Sequence, residues 1–159
     1  MKMIPNRKGM ELAVREARKN FRTVEGGPFG ACIVKDGRIV AVARNTVLRG
    51  DATAHAEINA IRKACRKLGT HDLSGGIIYS TTEPCPMCFS AIHWAKIARI
   101  VYGSGIQDAQ RAGFSELTVS NLDMKSAGNS PVEVQGHFMR NEALPLFEIW
   151  KTRADKRVY

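Results

Sequence analysis

A chain of 159 residues with 44% hydrophobic composition is long enough for one compact domain with its own core, so neither disulfides nor a metal is needed merely to fold it. The stretch Met1 to Lys8 lacks the apolar core of a secretory signal, and no apolar run approaches bilayer-spanning length; a cytoplasmic protein with no membrane partner is expected. The net charge of +9 raises the prospect of an acidic or nucleic-acid partner, although Arg15, Arg18, Lys19 and Arg22, and likewise Arg62, Lys63, Arg66 and Lys67, fall on amphipathic segments where a solvated helix face is the simpler reading.

In chain order, Met10, Val14, Ala17 and Phe21 recur at helical spacing, and the Glu25-Gly26-Gly27-Pro28 break ends that first helix. Phe29 to Lys35 and Arg38 to Asn45 read as strands joined by Asp36-Gly37, a dipeptide suited to a tight hairpin turn. After the polar loop Thr46 to Asp51, Thr53 opens a helix whose buried stripe is Ile58, Ile61, Cys65 and Leu68, with Gly69 placed to stop it. Gly76 to Thr81 is a third strand. It runs into Pro84-Cys85-Pro86, and Pro86 suits the first turn of a helix continuing to about Ile97. Arg99 to Tyr102 is a fourth strand and Ile106 to Ala112 a short helix; Asn121 to Pro131 reads as a loop and Val132 to Phe138 as a fifth strand. Asn141 is expected to cap a last helix bearing Leu144, Phe147 and Trp150. Alternating strands and helices predict a three-layer α/β/α sandwich around a mixed five-stranded sheet, with residues 1–159 as a single domain.

Four cysteines in a chain expected among reducing thiols favour metal ligation or catalysis over disulfides. Cys32 and Cys65 sit in apolar surroundings and read as packing residues. Cys85 and Cys88 form a Cys-x-x-Cys pair at a helix start, where backbone N–H groups favour thiolate. With His55 they make a set of three soft ligands that leaves zinc a fourth position for water, and Glu57 beside it can take and return that water's proton. His55 and Glu57 are two apart, so they converge only if the helix start opens toward the site. A redox pair is the rival for Cys85 and Cys88, but it has no use for His55-Ala56-Glu57. A structural zinc site would need a fourth ligand from His71, His93 or His137, none at a standard short spacing.

His55-Ala56-Glu57 with Pro84-Cys85-Pro86-Met87-Cys88 closely resembles the zinc-dependent cytidine-deaminase-like superfamily of nucleobase deaminases. Gly26-Gly27-Pro28-Phe29-Gly30-Ala31, Thr53 to Glu57, Ile61 to Cys65, Glu83 to Cys88, Ala112-Gly113-Phe114 and the ending Lys156-Arg157-Val158-Tyr159 look like the bacterial guanine deaminases. That resemblance implies one zinc ion per subunit on His55, Cys85 and Cys88, with a zinc-bound water or hydroxide, and proton transfer by Glu57. It also implies purine contacts from Asn45 and the Ala56 backbone, a pocket wall at Phe29, and Glu116 as a second carboxylate in the reaction. A homodimer is implied in which the segment from about 132 to 159 is exchanged between subunits, bringing Tyr159 and Trp94 to the substrate, with the 121–131 loop as hinge. The reaction implied is guanine to xanthine and ammonia. The alternatives are a tRNA-specific adenosine deaminase, which would use the positive charge on an anticodon stem, or a deaminase of guanosine or cytosine.

Overall fold

The computed structural model describes residues 4–159, so the first three positions of the Met1 to Lys8 stretch lie outside the described residues. β1 (Gly30–Lys35) and β2 (Arg38–Arg44) form an antiparallel hairpin around Asp36 and Gly37, whose φ angles of 51° and 71° are those a two-residue primed turn needs. β1 also pairs antiparallel with β3 (Ile77–Thr82). β3 runs parallel to β4 (Arg99–Ser104), and β4 parallel to β5 (Glu133–Gln135), giving a mixed sheet ordered β2-β1-β3-β4-β5.

The period of two along β1 divides the core. Ala31 and Ile33 point to the face covered by α3 (Ala56–Leu68) and α4 (Pro86–Trp94), where they meet Ala60, Ala64, Phe89 and Ile92. Cys32 points the other way, joining Tyr79 and Val101 beneath Met10 and Ala13 of α1 (Arg7–Arg18). Fully buried side chains such as Ile33, Ile92 and Met10 each contribute on the order of 1.5–3 kcal/mol of burial free energy, which is what fixes the helices to their faces. The expected three-layer α/β/α sandwich therefore forms, and its parallel crossover from β3 to β4 is α4.

Several local expectations are corrected. The first helix ends at Arg18, and a separate turn, α2 (Asn20–Thr23), follows before Val24 takes a left-handed φ of 50°. α3 begins at Ala56 rather than Thr53, because the Asp51 carboxylate holds the Thr53 N–H and hydroxyl in a local turn. α4 stops at Trp94, short of Ile97, with Lys96 turning out at φ 58°.

After α5 (Ile106–Arg111), the segment read as the 121–131 loop contains α6 (Asn121–Ala127). Its small polar residues conceal a capping box: Ser120 Oγ accepts the Asp123 N–H at 3.0 Å and the Asp123 carboxylate accepts the Ser120 N–H at 3.2 Å. The fifth strand pairs over three residues only. The last helix is split into α7 (Arg140–Ala143) and α8 (Pro145–Lys151). Asn141 lies inside α7, whose N-cap is Met139 at φ 51°, and Pro145, lacking an N–H, restarts the chain as the first residue of α8.

Candidate active site

The ends of β2 and β3 and the starts of α3 and α4 converge on one pocket lined by Phe29, Asn45, His55, Glu57, Thr82, Glu83, Cys85, Glu116 and Tyr159. His55 is the N-cap of α3, extended at φ −64° and ψ 157°. That extended residue removes the geometric conflict: His55 lies off the helix while Glu57 occupies its first turn, so both face the pocket. Cys85 is the N-cap of α4 in a similar conformation, φ −66° and ψ 167°, with Cys88 in the first turn behind it. Neither N-cap side chain caps its own helix, which leaves both for another partner.

Among the described residues, His55, Cys85 and Cys88 are the group of such side chains placed to hold a metal, their ligand atoms all within 4.8 Å of one another. His55 Nδ1 lies 3.6 Å from Cys85 Sγ and 3.5 Å from Cys88 Sγ. Tetrahedral zinc with Zn–N of about 2.05 Å and Zn–S of about 2.3 Å requires N···S separations of about 3.5 Å. The donor set therefore fits zinc in both softness and spacing. The Cys88 S–H bond to Cys85, outweighing burial and helped by His55, pulls the Cys85 thiol down to about 4, while Cys88, holding the shared proton, is raised. A site in which a thiolate forms this readily is prepared for a soft cation.

Glu57 is buried, and burial pushes its carboxyl above the usual range. The Ser80 hydroxyl lies 2.7 Å from Oε1 and 2.6 Å from the Thr82 carbonyl oxygen, so its one proton is shared between the two acceptors, while Oε2 lies 3.5 Å from Cys88 Sγ. Glu116, on the connection from α5 to α6, lines the same pocket; burial, with Cys85 adding and His55 opposing, raises it to about 7.

On the opposite wall Asn45, only 1% exposed, accepts the Val47 N–H at 3.1 Å and the Tyr159 O–H at 2.8 Å, both on Oδ1. The direction of that amide is thereby set, with Nδ2 left for the pocket. Gly26 allows the close approach, since a Cβ there would stand 2.2 Å from Asn45 Oδ1. Phe29 lines the pocket, with its ring edge-on to Phe114 at 4.9 Å.

Tyr159 reaches the pocket of its own chain. Its hydroxyl accepts the Gly27 N–H at 2.9 Å, its ring meets Phe114 edge-on at 5.3 Å, and its backbone oxygen accepts the Ser115 N–H. Tyr159 thus forms part of the wall of a narrow pocket. Ala56 opens α3 between His55 and Glu57. Trp94, at the end of α4, is 78% exposed and is not among the residues lining this pocket. His93 bonds Ser130 and His137 packs on Tyr102, as ordinary structural histidines.

Ser80 and Thr82 escaped the sequence reading; Ser80 meets Glu57 across 23 residues, and only the strand alternation leading into the cysteine turn hinted at it. A larger groove of about 380 Å³ on the far side of β2, lined by Arg44, Arg49, Arg62 and Arg66 with Glu16 and Glu25, holds none of this chemistry.

A helix-mouth site of two cysteine sulfurs, one imidazole and an adjacent buried carboxylate, on this sheet, defines a hydrolytic zinc deaminase. Residues 3–104 match the family described as the cytidine and deoxycytidylate deaminase zinc-binding region, and the chain belongs to that family. It is 42% identical over 151 residues to a guanine deaminase of Bacillus subtilis (strain 168), covering 94% of this chain and 96% of that one. A tRNA-specific adenosine deaminase of Agrobacterium fabrum is 48% identical, over 60% of this chain and 62% of that protein. Among solved structures, a guanine deaminase from Nitrosomonas europaea superposes with a TM-score of 0.84 at 28% identity, covering 95% of this chain and 87% of that one.

Proposed function

We propose that this enzyme hydrolyses guanine to xanthine and ammonia. The observation that carries the reading is the wall opposite the metal ligands, where Asn45 is held by Tyr159 and Val47 and the ring of Phe29, backed by Phe114, shapes a narrow slot that the chain's own Tyr159 also lines. Such a slot suits a free planar base, whereas a polynucleotide needs an open mouth. The near full-length similarity to a guanine deaminase supports the same substrate.

His55, Cys85 and Cys88 hold zinc, which when bound supplies a Lewis acid that makes water nucleophilic near neutral pH. Glu57 takes the proton released by water and returns protons to the ring nitrogen and the departing amine; Ser80 keeps its carboxylate in place through both transfers. Asn45 Nδ2 donates to an acceptor on the base, Phe29 packs on its plane, the Ala56 backbone meets its edge and Glu116 assists proton movement on the amine side. Burial keeps Glu57 and Glu116 basic enough to hold a proton between steps.

The same reading includes a cytoplasmic homodimer. Trp94, exposed on α4, is the residue a partner would cover, and exchange of the segment from about 132 to 159 would let a partner's tail make the contacts that this chain's tail makes on itself. The test is to supply zinc-loaded enzyme with guanine, guanosine, cytosine, adenine and a tRNA anticodon arm and to follow ammonia release and inosine formation. Turnover of guanine alone upholds the proposal. Inosine formation in the anticodon arm without guanine turnover replaces it with the tRNA reading, which the similarity to the Agrobacterium enzyme and the charge of +9 favour.

A further inference from the structure

Glu83 precedes the metal-binding turn and is 8% exposed, yet among the described residues its hydrogen-bond partners include no cationic side chain. Its carboxylate is satisfied by backbone alone: Oε1 accepts the Asn121 N–H at 2.9 Å and Oε2 accepts the Ile106 N–H at 3.3 Å. Ile106 is the first residue of α5 and Asn121 the first of α6, so one side chain holds both ends of the 106–121 segment. Within that segment lies Glu116. The clasp is doubled at its far end, where Asn121 Nδ2 donates to the Pro84 carbonyl at 2.6 Å, one residue before Cys85. The Glu83 N–H donates to Ser104 O at 2.7 Å, which fixes the clasp to the end of β4.

We propose that Glu83 is a positioning residue that pins both ends of the 106–121 segment and so sets Glu116 in register with Cys85 and Cys88. Two backbone donors arriving from different helices need two acceptor oxygens on one side chain, which a carboxylate has and an amide lacks. Partial positive charge at the two helix starts offsets the cost of burying the charge. Beyond the clasp, the connection bearing Glu116 is held by Phe114, which packs on Phe29 and Tyr159, and by the Ser115 bond to Tyr159; neither contact is made by Glu116 itself, so the clasp is what fixes where the two ends of the segment start and stop. The inference rests on the reading that Glu116 takes part in the reaction.

The experiment compares Glu83→Gln, Glu116→Gln and the double variant in the zinc-loaded full chain, measuring zinc per chain, hydrogen–deuterium exchange over 106–121, and kcat/KM for guanine. Glu83→Gln turns one acceptor into a donor facing an N–H. We expect zinc content unchanged, faster exchange over 106–121, and kcat/KM lower by roughly ten- to a hundredfold, the scale of one charge-assisted hydrogen bond. The loss should not multiply with that of Glu116→Gln, because a displaced carboxylate has little left to lose. Unchanged exchange, or losses that multiply in full, overturns the proposal. Should Glu116→Gln alone turn over guanine at the unaltered rate, the role of Glu116 fails, while exchange in Glu83→Gln still decides whether the pin exists. If Glu83→Gln does not fold, Glu83→Asp, which keeps both oxygens but is one methylene shorter, carries the same measurements with a smaller rise in exchange expected.

Discussion

Removing one oxygen atom, in Tyr159→Phe, tests how the pocket closes. The hydroxyl accepts the Gly27 N–H at 2.9 Å and donates to Asn45 Oδ1 at 2.8 Å, while the ring rests on Phe114 independently of it. Asn45 Oδ1 keeps its bond from Val47, so that loss is small. The Gly27 N–H is left without an acceptor inside the closed structure, a penalty of about 1–3 kcal/mol. Taking about 2 kcal/mol, the closed tail becomes roughly thirtyfold less populated relative to the open one. KM for guanine should rise about ten- to thirtyfold, with kcat changed less than about threefold, because the metal ligands and Glu57 are untouched. Steady-state ammonia release, with zinc per chain as the control, measures both constants. An unchanged KM would show that the tail contact is no part of the working pocket.

Glu57→Gln keeps the shape beside Ser80 and removes the proton carrier; zinc content should stay at the unaltered level while kcat falls by about 10²–10⁴, and turnover within about tenfold of the unaltered enzyme would remove Glu57 from the mechanism. Asp108 accepts from Gly105, Arg111 and Arg140, and the Arg140 guanidinium, against burial, holds its carboxyl below the usual range. Its contribution is present above about pH 4 and is lost as pH falls through the depressed folded value, so Asp108→Asn should cost about 1.5–3 kcal/mol in denaturant unfolding at pH 7 and flatten the acid limb of the stability curve. Burial pushes the Cys32 thiol up to about 12 from an ordinary 9.0. Between those values the unfolded chain has released a proton that the folded chain keeps, so stability falls as pH rises, and Cys32→Ala should lose stability less steeply above about pH 9.

The clearest contrast between sequence and structure lies at the two helix starts. Ligand types, their spacing and the accompanying Glu57 were legible because soft-metal chemistry needs particular side chains, and strand periodicity with Asp36-Gly37 placed the sheet in front of them. The conformation that lets His55 and Glu57 share a pocket was not legible, since it depends on one extended residue ahead of α3. α6 was missed because a run of small polar residues hid the Ser120 and Asp123 capping pair. The single terminal helix was expected because the Leu144, Phe147 and Trp150 stripe runs across the point where Pro145 breaks it.

By itself the sequence determined the chemistry: a zinc site of two cysteines and a histidine with an accompanying carboxylate on an alternating α/β chain, since ligand identity and hydrophobic period are properties of residues and their spacing. Tertiary structure alone decided which distant groups serve that chemistry. Ser80 on Glu57, Tyr159 on Asn45 and Glu83 across Ile106 and Asn121 are separated by 23, 114, 23 and 38 positions, and hydrogen bonds of that kind leave no periodic trace. They exist because the sheet order sets the end of β3 between the start of β1 and the end of β4, one strand away from the end of β2, and burial there favours polar groups that find a partner.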